Sequence, residues 1–176
     1  CFENTSICIF NTDKKTKIFL IGDSHFGSIS YDLKSRIKNF QFTPITKAGY
    51  FYFNDKNIIS VDRYTKKINR EFEKFNKIVN KKLDKSEKNI IILGGSTSLY
   101  FYNKRYINRP VNLRSDYVSK DNLQLDPELL EGAFYNQLKK LTEKNYVILL
   151  YPIPEIGNNV FKNLQKIKSF KYTYDD

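Results

Sequence analysis

The segment Lys17-Ile18-Phe19-Leu20-Ile21-Gly22-Asp23-Ser24-His25 sets the architecture of the chain. Four consecutive large apolar residues, Ile18 to Ile21, predict a strand buried on both faces, because a strand with one wet face alternates apolar and polar positions. Gly22 ends the run. Phe26, Ile29, Leu33 and Ile37 then recur at intervals of three or four, the spacing that lines one side of a helix. A buried strand that turns straight into a helix is the opening unit of a layered α/β domain with a largely parallel sheet.

The same alternation continues downstream. Phe40 to Thr46 alternates up to Pro44 and reads as a second strand ending near Gly49. The aromatic cluster Tyr50-Phe51-Tyr52-Phe53 and a short run at Ile58 to Val61 lead into a basic helical segment. Asn89 to Leu93, stopped by Gly94-Gly95, is the next strand. Ser96 to Pro127 has no clear period, carries Tyr100, Phe101, Tyr102 and Tyr106, and is expected to be a long loop or irregular insertion beside the site. Asp126-Pro127 starts a helix, with Asp as cap and Pro at the first helical position, and Leu129, Leu130, Ala133, Phe134, Leu138 and Leu141 supply its inner face. Tyr146 to Tyr151 reads as the last strand, broken by Pro152-Ile153-Pro154. Val160, Leu164 and Ile167 space as a final helix whose inner face needs further protein to cover it. With no internal repeat or low-complexity linker, residues 1–176 are expected to form a single domain that stops before its fold does.

Composition bounds the chemistry. The 176 residues, 40% apolar with 7 Gly and 5 Pro, suit one globular domain. The longest apolar runs are four residues, against the ~20 needed to cross a bilayer, so a soluble piece is expected. The chain has no Met, no Trp and one His, and opens on Cys1, which points to a piece processed or excised from something longer. One histidine excludes a two-histidine metal site, and neither metal nor cofactor is expected. Cys1 and Cys8 have a spacing that fits a small disulfide loop; the alternative is two unpaired thiols in a frayed terminus. Net charge is +11, and residues 63 to 88 hold ten Lys/Arg against four Asp/Glu, so +6 of it lies there. Ile68, Phe72, Phe75, Ile78, Val79 and Leu83 give that segment an apolar stripe under a lysine-rich face. A solvated face accounts for the charge. An anionic glycan or lipid surface is compatible with it, whereas nucleic acid is not expected as a partner because the aromatics sit on the inner stripe.

Ser24 lies where the first strand becomes a helix. There its hydroxyl stands at the carboxyl edge of the sheet and its backbone N–H joins the positive end of the helix, and both favour an oxyanion above it. Serine is also a common helix N-cap, and position alone leaves the two roles open.

The Gly22-Asp23-Ser24-His25 turn, the cysteine pair upstream, the Ala48-Gly49 turn, the strand end at Gly94-Gly95 and the closing Tyr151-Pro152-Ile153-Pro154-Glu155 come in an order that resembles the SGNH (GDSL-like) hydrolases. The resemblance is closest to the extracytoplasmic SGNH domains fused to membrane acyltransferases of acyltransferase family three, and it spans nearly the whole chain. It implies a three-layer flavodoxin-like fold, here expected to lack its C-terminal strand. It also implies acyl-ester chemistry with Ser24 as nucleophile and an oxyanion hole from the backbone N–H groups of Ser24 and Gly49. The family's third donor is an Asn in a Gly-x-Asn turn; Gly94-Gly95-Ser96 stands there, so Ser96 offers at best a hydroxyl, and losing such a donor costs about 3 kcal/mol of transition-state stabilisation.

The family's Asp-x-x-His motif is absent, since His25 is the only histidine. His25 is adjacent to Ser24 and diverges from it, so a structural role is expected, and truncation is the favoured explanation for the missing base over loss of catalysis. Asp23 is expected to bond loop backbone, Glu155 lies by strand-end logic near the mouth of the sheet, and Tyr100, Tyr102 and Arg105 either stack on sugar or form an ordinary aromatic loop. The resemblance implies a parent on the periplasmic or outer face of a bacterial membrane that acylates, most often acetylates, a cell-surface polysaccharide, taking the acyl group from a donor or from an acyl-carrying membrane domain of the same polypeptide. An esterase acting on glycans or lipids and a non-catalytic glycan-presenting module are the alternatives.

Overall fold

The computed structural model describes residues 7–84, 87–102 and 115–150. Along the chain run β1 (Lys17–Gly22), α1 (Ser24–Arg36), β2 (Gln41–Thr46), β3 (Ile58–Asp62), α2 (Arg70–Leu83), β4 (Ile90–Gly94), α3 (Thr97–Tyr102), β5 (Ser115–Ser119), α4 (Pro127–Thr142) and β6 (Tyr146–Leu150). Strands β2, β1, β4 and β6 form, in that order, a four-stranded sheet whose pairings are all parallel. Counting only the strands of this sheet, the order is 2-1-3-4, that of flavodoxin-like folds.

Side chains that alternate along these strands build two separate cores. Phe19, Ile21, Ile45, Ile91 and Leu93 pack on Phe75, Val79 and Leu83 of α2, with Leu138 and Leu141 of α4 against them. Ile18, Leu20 and Phe42 face the other way and pack with Phe26, Ile29, Leu33 and Ile37 of α1 and its end. The fold therefore has three layers, α1 on one face of the sheet and α2 with α4 on the other, as an α/β chain with apolar residues on both strand faces requires.

The region between the main strands departs from the sequence expectation. Ser96 to Pro127 is not uniformly irregular: α3 and β5 lie within it, and β5 pairs antiparallel with β3 as a separate two-stranded sheet, Ser60 opposite Tyr117. The run at Ile58 to Val61 is thus a paired strand. Neither α3, of six residues, nor β5, of five, is long enough for a period to emerge. Among the described residues of the basic segment, the helix runs over Arg70–Leu83, where Asn69 caps it by accepting from the Glu71 N–H. Ile68 lies outside that helix and is 54% exposed, bridging back to Val61 rather than joining the apolar stripe. Phe51, Phe53, Phe72, Tyr100, Phe101, Tyr117 and Leu130 form a third core, with Phe134 against it, while Tyr52 of the aromatic cluster joins the core under α2.

Cys8 is disulfide-bonded. Cys1, Arg105, Tyr106, Glu155 and the spacing at Val160, Leu164 and Ile167 lie outside the described residues.

Candidate active site

Four parallel strands end on one edge, and the turns leaving β1, β2 and β4 bring together residues far apart in sequence. Gly22 at the end of β1 is in register with Thr46 of β2, and Ile21 with Leu93 of β4. The chain leaves β1 toward β2 on one side and later returns to β4 on the other. Ser24 therefore stands at the topological switch point, flanked by the turns that carry Gly49 and Ser96, the crevice where open α/β sheets bind their ligands.

Asp23, not Ser24, is the N-cap of α1. Its backbone is extended (φ −85°, ψ −162°) and its carboxylate accepts from the His25 N–H at 2.9 Å. Ser24 is the first residue of the helix and is exposed. Relieved of capping, its hydroxyl has no hydrogen-bond partner among the described residues, and its N–H belongs to the unsatisfied first turn of a 13-residue helix. Asp23 is 2% exposed, and its second oxygen accepts from the Ser96 N–H at 2.9 Å and the Tyr100 hydroxyl at 3.3 Å. One buried carboxylate thus ties the turn after β1 to the turn after β4.

Glycines make this approach possible. A Cβ on Gly22 would fall 2.4 Å from the Gly94 carbonyl oxygen and 2.7 Å from the Phe26 ring. One on Gly94 would fall 2.2 Å from that ring and 2.6 Å from the Leu150 carbonyl oxygen. Phe26 thereby seats the first turn of α1 against the ends of β1 and β4. Gly95 has φ +143° and would set a Cβ 3.1 Å from the Asp23 carboxylate, and Gly49 has φ +78°; both conformations favour glycine.

The expected oxyanion donors divide. The Gly49 N–H donates to nothing among the described residues. The Ser96 N–H is committed to Asp23, leaving its hydroxyl as the group it can offer. His25 is exposed; its N–H donates to Asp23, and its imidazole makes no hydrogen bond among the described residues. Tyr100 was expected in an exposed loop and is instead 3% exposed within α3. Burial foremost, and the charge of Asp23 next, push its phenol well above the usual tyrosine range. Tyr102 is 44% exposed and donates to Glu131 of α4. Sequence reasoning also missed Gln137, buried in α4, which accepts from the Asn54 N–H at 2.6 Å and donates to the Tyr52 carbonyl at 3.2 Å. A Gln at the i+4 position from Ala133 on the inner stripe is the one signal that marks it.

A parallel sheet in flavodoxin-like order with an exposed serine at its switch point and glycine turns beside it is the frame of a hydrolase-like α/β domain. The chain belongs to the SGNH family: the family described as "SGNH domain (fused to AT3 domains)" matches residues 1–175. That membership supports hydrolase or acyltransferase chemistry and the fused membrane acyltransferase domain as the partner. No curated protein and no solved structure matches the chain. Among the described residues no helix is long and apolar enough to cross a membrane, and no group of His, Cys, Asp and Glu is placed to hold a metal.

Proposed function

We propose that this chain is the SGNH domain of a membrane O-acyltransferase that acylates cell-surface polysaccharide outside the cytoplasmic membrane, with Ser24 as the nucleophile. The observation that carries the reading is Ser24 itself: first residue of α1, exposed, freed from capping by Asp23 and set at the switch point. Ser24 Oγ attacks the acyl carbonyl and the leaving group departs with a proton. The acyl-serine then passes the acyl group to a sugar hydroxyl and regenerates Ser24. The oxyanion formed in each half is met by the N–H groups of Ser24 and Gly49, with the Ser96 hydroxyl third.

His25 is not the base, because neighbouring side chains on a helix do not face the same atom. The general base comes from outside the described residues.

The test is Ser24→Ala in the full-length protein, with glycan acylation and release of free acyl group both measured. The expected result is loss of transfer by at least ~1,000-fold. Acylation that persists in Ser24→Ala refutes the nucleophile. Acyl release to water without transfer turns the reading to an esterase.

A further inference from the structure

Beside the candidate site a cleft of about 840 Å³ opens between the Ala48-Gly49-Tyr50 turn, the start of α2 and the turn after β3. It shares Gly49 with the expected oxyanion hole. Most polar groups on its walls are already engaged. Glu71 is held by Lys47 at 2.8 Å and Lys74 at 2.7 Å. Asp62 accepts from the N–H groups of Tyr64 at 3.0 Å and Thr65 at 2.8 Å. Tyr50 donates to Asn69 at 3.3 Å, and Asn69 to Ser115 at 2.8 Å. The two cations differ from these. Lys67 and Arg70 line the cleft and are exposed, and among the described residues neither the ammonium nor the guanidinium has a hydrogen bond or ion pair.

Two uncommitted cations in a cleft whose carboxylates are already neutralised or engaged suit an anionic, hydroxyl-rich ligand. We propose that this cleft binds the acidic group, carboxylate or phosphate, of an anionic saccharide acceptor. The inference rests on the acyl-transfer reading and names its substrate class. The cleft places the acid beside Gly49, so a neighbouring sugar of the same molecule reaches the edge that carries Ser24.

Binding of trigalacturonate to the full chain, by calorimetry, tests it against the neutral trisaccharide methyl ester and inorganic phosphate. The ester is expected to bind at least roughly tenfold more weakly than the acid, and Lys67→Gln and Arg70→Gln each to weaken the acid by a similar factor. Lys77→Gln combined with Lys81→Gln, removing two exposed charges elsewhere on α2, is expected to leave it within about twofold, since exposed charges at a distance are screened. Competition by phosphate assigns the cleft to phosphorylated sugars, and none assigns it to uronates. Equal binding of acid and ester, equal loss in the two sets of variants, or binding of neither trigalacturonate nor phosphate overturns the proposal. Ser24→Ala separates the two readings: retained acylation in that variant with binding lost in Lys67→Gln sinks the nucleophile and leaves the cleft standing. Lost acylation with wild-type binding in both cation variants sinks the cleft alone.

Discussion

Asp23 holds together, within one side chain, the helix cap of α1 and the turn after β4. Removing the Tyr100 hydroxyl leaves one of its oxygens with a single donor, so Tyr100→Phe should destabilise the fold by about 1 kcal/mol with the ring packing kept, as read by denaturant unfolding. Gly94→Ala should cost more, about 3 kcal/mol, because its Cβ meets the Phe26 ring and the Leu150 carbonyl together; thermal unfolding of the purified variant checks it. The position of Ser24 was legible because an apolar run and a change of period are local signals. The partners of Asp23 were not, since Ser96 and Tyr100 come 73 and 77 residues later and meet it only once β4 has paired with β1.

Among the elements, the parallel strands and the three longer helices announced themselves through composition and spacing, down to the Asp126 cap, which accepts from the Leu129 N–H. The β3–β5 sheet did not. Its second strand, Ser-Asp-Tyr-Val-Ser, has two adjacent apolar residues and no alternation, and pairing rather than sequence makes it a strand. An ion pair helps hold that sheet: Arg63 reaches Asp116 through Nε at 2.8 Å and a terminal nitrogen at 2.6 Å, both side chains largely covered. Asp116→Asn should therefore destabilise by about 2 kcal/mol, with the loss localised by hydrogen exchange to β3 and β5. The clamp between the 47–49 turn and α2 is governed by acid. Hydrogen bonds from Lys47 and then Lys74 hold the Glu71 carboxyl at about 2, below its ordinary 4.5. A depressed carboxyl stabilises above the ordinary value and loses that contribution as pH falls from about 4.5 through about 2. Carboxyl NMR of Glu71 should titrate in that range and move upward in high salt.

Across the whole molecule, three layers bury β1 and β4 between neighbours, while β6 stands at the edge of the four-stranded sheet with Tyr146, Ile148, Leu149 and Leu150 exposed among the described residues. Amide exchange should be slowest in β1 and β4 and faster in β6. Alkali acts on the interior. Burial first of all raises the phenols of Tyr52, Tyr100 and Tyr117 above their ordinary 10.0. Their contribution is complete below that value and is lost as pH climbs past it, so stability should decline upward from about 10, as equilibrium unfolding at stepped alkaline pH would measure. The aromatic cluster has a further use. Because the chain contains no tryptophan, its intrinsic emission comes from tyrosine and phenylalanine. Tyr117 is wedged edge-on against Phe72 and Tyr100, and Tyr100 touches Asp23, so the molecule carries a built-in optical reporter one hydrogen bond away from the turn that presents Ser24.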